Sequence, residues 1–85
     1  MSVLTPEIIT IRHELAEAMA HTSRMDRIVE WTWEAQCDAG RVTRRVTLRH
    51  VHARKWAIRA HLAAMDVEDA IEARLHVAWH AANGA

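Results

Sequence analysis

Between Val29 and Cys37 the chain reads VEWTWEAQC, with apolar residues at every second position and polar ones between them. That is the period of a strand with one dry face. On a helix the same five apolar residues would scatter round the cylinder. Val, Trp and Thr favour strands, and Asp38, Ala39 and Gly40 then supply turn chemistry. Beyond the turn, Val42, Val46 and Leu48 carry the apolar face, and Thr43, Arg45, Thr47 and Arg49 the other. Two strands about a glycine-containing turn predict a β-hairpin.

The register is fixed by the side chains. If Cys37 faces Val42, Trp33 meets Val46 and Trp31 meets Leu48 on the apolar side. Glu34 then meets Arg45, Thr32 meets Thr47 and Glu30 meets Arg49 on the polar side. Such cross-strand pairs stabilise a sheet, and a slip of one residue would mix the two faces. Arg44 falls on the Trp side, opposite Ala35.

The flanking segments have helical periodicity. Thr5 is a cap, Pro6 suits a first helical position and Glu7 suits the positive end of the helix dipole. Ile8, Ile11, Leu15, Ala18 and Met19 follow, with the helix expected to fade between His21 and Arg24. From Ala53 the pattern is helical again. A rival reading runs one long helix through the second strand segment, where Leu48, Val51, Lys55, Ile58, Leu62 and Met65 fit a heptad that Lys55 spoils. The apolar phase then jumps. Val67, Ile71, Leu75 and Ala78 form a second stripe, and Asp66 with Asp69 resembles a capping box, which predicts a break or kink there. Asn83 and Gly84 end the last helix. The expected fold is therefore a small α+β domain spanning 1–85, in the order helix, hairpin, helix, helix, with Trp31, Trp33 and Trp56 in the core. The alternative is an all-α bundle.

Composition sharpens this picture. Eighty-five residues without Phe or Tyr leave four Trp as the only aromatic bulk, in a chain whose core is small at this length. Ten arginines to one lysine and abundant alanine are marks of a GC-rich coding sequence. Cys37 is the single cysteine, so no internal disulfide forms; it is expected as a small buried filler. The N-terminal residues lack the basic start of a secretory leader, and no apolar run approaches the roughly 20 residues of a membrane span. The expected location is the cytoplasm, with no membrane association.

Charge is distributed unevenly although the total is zero. The first 38 residues hold seven acids and three arginines, and the last twenty hold four acids and Arg74. No acid lies between Ala39 and Met65, a stretch that contains Arg41, Arg44, Arg45, Arg49, Arg54, Lys55 and Arg59. Arg41, Arg45, Arg49, Arg54, Lys55 and Arg59 are thus the candidate surface for a protein partner or for phosphates. Against the second use stands a pI near 7.1, where a dedicated nucleic-acid domain usually lies above about 9. His76 and His80, four apart, are the weak candidates for a metal pair, but HVAWH has no third ligand at a zinc-site spacing, and no metal or other cofactor is expected. Gly40 and Gly84 are isolated, so there is no phosphate-binding loop, and no catalytic constellation emerges.

These features predict a non-enzymatic interaction or regulatory module, such as an accessory or inhibitory protein of a phage or mobile element in a high-GC bacterium. It would dock a protein partner through residues 41–59 or an open sheet edge, and would pair with itself as a homodimer, because a two-stranded sheet leaves two edges open. The alternative is a nucleic-acid-binding regulator contacting phosphates through Arg41 to Arg59.

Overall fold

The computed structural model describes residues 2–42 and 47–84. They form two helices, α1 (Pro6–Val42) and α2 (Leu48–Asn83), laid antiparallel as a rod of 61 × 16 × 15 Å. Among the described residues there is no strand. The expected β-hairpin and the α+β class are corrected to a helical hairpin, an all-α architecture. α1 runs without interruption through His21–Arg24 and through the whole of VEWTWEAQC, and Leu48 and Arg49 open α2. Thr43, Arg44, Arg45 and Val46, which carried part of the second expected strand, lie outside the described residues.

The helix prevails over the alternation for local reasons. Ala, Glu, Gln, Arg and Met, good helix formers, surround the β-favouring residues. Gly40 costs about 1 kcal/mol in a helix interior but sits in the last turn of α1. A spacing of alternating three and four also runs unbroken through the segment. Ile8, Ile11, Leu15, Ala18, Thr22, Met25, Val29, Thr32, Gln36 and Ala39 are the inward row of α1, all buried or half-buried. Their partners on α2 repeat the spacing: His50, Arg54, Ala57, His61, Ala64, Glu68, Ile71, Leu75, Ala78 and Ala82. This is the antiparallel coiled-coil geometry of two helices joined by a short connection.

One end of the rod, the base, is closed by the two termini. Thr5 Oγ1 accepts from the Ile8 N–H at 3.2 Å, capping α1. The Val3 N–H donates to Asn83 Oδ1 at 2.6 Å, and Asn83 Nδ2 donates to the Val3 and Trp79 carbonyls. Gly84 follows α2 at φ +78°, a conformation that glycine adopts without strain. Ile8, Ile11 and Ala78 form the core cluster, with Ile71, Leu75, Trp79 and Ala82 packed on it.

The far end, the tip, is built differently. Its inward row mixes Val29, Ala39 and Ala57 with Thr32, Gln36, His50, Arg54 and His61, and its tryptophans face outward. Trp31 is 68% exposed, Trp33 48% and Trp56 63%. The expected packing of these three tryptophans in a core is thereby corrected, and so is the buried Cys37, which is exposed. α2 continues straight through Asp66, so the expected break is absent. The phase jump there has another meaning. After Asp66, Ile71, Leu75 and Ala78 pack on α1 while Val67 is exposed; before it, Ile58 is half-buried and Leu62 and Met65 are exposed.

Candidate functional site

Three cross-helix contacts set the register: Val3 with Asn83, Glu14 with Arg74, and Trp33 with Arg54. They also define two sides of the rod. On one side Glu14 accepts from Arg74 Nη1 at 2.9 Å. On the other, Arg12, Glu72, Leu75, His76 and Trp79 line a shallow groove. Counting in sevens along each helix places Trp31 and Trp56 toward the Glu14 side, level with one another. Trp33, Leu62 and Met65 fall toward the Arg12 side.

Each tip tryptophan has cations beside it. Arg24, Arg27, Ile28 and Trp31 line one groove on α1, and His52, Lys55, Trp56 and Arg59 line another on α2. The Arg54 guanidinium carbon sits 4.5 Å from the centroid of a Trp33 ring, in cation–π range. Between Trp31 and Trp56 the edge of the seam carries Ile28 and Ala35 on α1 and Ala53 and Ala60 on α2.

The expected basic surface is divided by this geometry. Arg49, Lys55 and Arg59 are exposed. Arg54 is turned into the seam, and its Nε is buried without a hydrogen-bond partner, as is Gln36 Oε1. Arg41 pairs with Asp38 one turn earlier in α1. Arg45 lies outside the described residues. Among the described residues the other ion pair is Arg74 with Glu14, so the expected partnership of Glu30 with Arg49 does not form. Arg24 and Arg27 escaped the sequence reading. Their signal was a spacing of seven and four before Trp31, visible only once that segment is read as helix.

Charge follows the rod's long axis. Residues 30–42 and 47–59 hold five basic and three acidic side chains, giving the described part of the tip +2. The remainder of the described chain holds four basic and eight acidic, giving the base −4. A net zero thus conceals a dipole across a 61 Å rod.

His76 and His80 stack with ring centroids 4.2 Å apart and planes at 71°. Among the described residues no group of three or more His, Cys, Asp or Glu side chains is placed to hold a metal. Among the described residues no helix is long and apolar enough to cross a membrane. No known protein family, curated protein or solved structure matches this chain.

Proposed function

We propose that this chain is a non-enzymatic interaction module, working in the cytoplasm, that docks an acidic amphipathic helix of a protein partner onto the tip. The partner's apolar residues would lie between Trp31 and Trp56, and its acids would meet Arg24, Arg27, Lys55 and Arg59. One observation carries the reading. Two level, exposed tryptophans are flanked by cations that no acid among the described residues neutralises. Exposed aromatic anchors beside arginine are what protein interfaces concentrate, and a groove between helices is a common seat for a partner helix.

Nucleic-acid binding is the second reading, favoured by the net positive charge of the tip. The two readings separate in a titration followed by tryptophan fluorescence. An acidic amphipathic 20-residue peptide should give a saturable blue shift that Trp31→Ala with Trp56→Ala abolishes. A DNA duplex should give a gel shift that weakens steeply with salt only if phosphates are the ligand. Duplex binding without peptide binding would overturn the first reading in favour of the second.

A further inference from the structure

α2 carries two heptad-spaced rows side by side, and the chain uses only one of them. The inward row is apolar toward the base, at Ile71, Leu75 and Ala78. The neighbouring row is apolar toward the tip, at Leu48, Val51, Ile58, Leu62 and Met65. Leu48 is 74% exposed and Leu62 54%. In length this second row covers eighteen residues, about 27 Å of helix. Val51 and Ile58 are half-buried at its inner edge, and Leu48, Leu62 and Met65 are exposed.

The surface area says how much is uncovered. The chain exposes 6605 Å², whereas a compact 9.7 kDa monomer would expose about 5,100 Å². The excess, about 1,500 Å², is more than the roughly 800 Å² that each partner buries in a standard interface.

We infer that this row packs against α1 of a second copy of the chain, with the two hairpins side by side and both tips at the same end, making an up-down-up-down four-helix bundle. The charges select this arrangement. On the Arg12 side, α1 carries Arg12 and Glu30 at the levels where α2 carries Glu72 and Lys55. A two-fold axis along the rod brings those same levels of α1 and α2 together across the interface, so Glu72 meets Arg12 and Lys55 meets Glu30. Trp79 then comes level with Ile9, and Met65 with Met19. Asp26 and Asp69 are the acids this pairing leaves without a cation.

The other two pairings fit worse. Laying the rods tip to base puts Leu48–Met65 opposite Asp69, Glu72 and His76. Pairing the two copies of the row directly, antiparallel, doubles a segment that has no acid from Arg41 to Met65 and brings Lys55 and Arg59 of one copy near those of the other. The self-association uses the Arg12 side of the rod and the proposed docking the Trp31–Trp56 side; Lys55 is called on by both, and Trp31→Ala with Trp56→Ala separates them, because neither tryptophan lies in this row.

Sedimentation equilibrium on the full chain tests the association, and spin labels test its geometry. The expected result is a dimer at micromolar concentration, weakened at least tenfold by Leu62→Glu. That side chain is exposed within the hairpin, and circular dichroism reports whether the variant stays helical. For geometry, one label goes on the native Cys37 and another on Thr10→Cys in a Cys37→Ser background. With tips together, both pairs of labels lie within about 30 Å. Tip-to-base packing separates the Cys37 labels by about 40 Å, and direct pairing of the rows separates the Thr10→Cys labels by about 60 Å, at 1.5 Å per residue. A monomer at all concentrations, a dimer indifferent to Leu62→Glu, or either long distance overturns the inference.

Discussion

Base and tip are made of the same two helices in the same heptad register, and they differ in what lies between them. At the base, Ile8, Ile11, Ile71, Leu75 and Ala78 meet across the seam, Trp79 covers them, and Asn83 ties the N-terminus down. At the tip, Thr32, Gln36, Arg54 and His61 occupy the equivalent positions, while the tryptophans stand outside. Geometry alone therefore does not hold a helical hairpin together. Helices of this length owe most of their stability to the apolar face they bury, and the tip buries little. Its exposed apolar side chains are the surface left for partners.

The sharpest way to break this asymmetry is to empty the base. Ile8 is fully buried, so Ile8→Ala should cost about 2–4 kcal/mol from lost burial and the cavity left behind. Thermal unfolding followed by circular dichroism reads it. With so few buried side chains among the described residues, no other single truncation in the hairpin should be as damaging. A loss below about 1 kcal/mol would mean that the base is not the stabilising half.

The base was legible in the sequence and the tip was not, for one physical reason. At the base, Thr5, Pro6, Glu7 and the spacing Ile8, Ile11, Leu15, Ala18 all point to the same helix face, and Asn83 with Gly84 marks its end. At the tip, the tryptophans do not lie on the face that packs, and of the alternating residues only Val29 does. Val29, Trp31, Trp33, Ala35 and Cys37 alternate because only Val29 among them is on the inward row; the rest are spread over the remaining cylinder. A period-two reading assumes that apolar side chains are buried in their own chain. Where they serve partners instead, the pattern records two surfaces superposed and mimics a strand. The heptad Leu48, Val51, Ile58, Leu62, Met65 was recognised as a seam, and Lys55 was its misfit. The structure places that row beside the seam that α1 occupies, with Val51 and Ile58 half-buried at its edge and Leu48, Leu62 and Met65 exposed. Of the candidate surface, Arg49, Lys55 and Arg59 could be read from the acid-free run, but the inward turn of Arg54 could not, since it depends on which of two adjacent rows faces α1.

The comparison is sharpened by making the tip more like the base. Gln36 Oε1 is buried without a hydrogen bond, a condition that costs about 1–3 kcal/mol. Gln36→Leu removes the orphan and adds apolar contact, so it should stabilise the chain by about 1 kcal/mol. Urea unfolding measures it, and destabilisation would show that the polar seam is a favourable feature of the tip. Within VEWTWE the two tryptophans should then behave differently. Trp33 receives the Arg54 guanidinium on its ring; Trp33→Leu should cost about 0.5–1 kcal/mol through that contact. Trp31 stands free of the seam, and Trp31→Leu should leave stability unchanged within about 0.5 kcal/mol. Equal losses at the two positions would mean that Trp31 is packed after all.

The smallest effect should come from the best-formed ion pair. Arg74 Nη1 and Glu14 Oε2 are 2.9 Å apart, and they join the two helices near the base. Proximity makes this pair look important, yet both side chains are substantially exposed, at 56% and 41%. Water screens the attraction, and ordering two long side chains offsets part of what remains, so Glu14→Gln should cost less than about 0.5 kcal/mol. Thermal unfolding at low and high salt tests this. The wild type should lose its slight advantage over the variant as salt rises, because only the wild type has the pair to screen. A loss of several kcal/mol from Glu14→Gln would transfer the stability of the base from Ile8 and its neighbours to electrostatics, and with it the explanation of why the base is the better-held end.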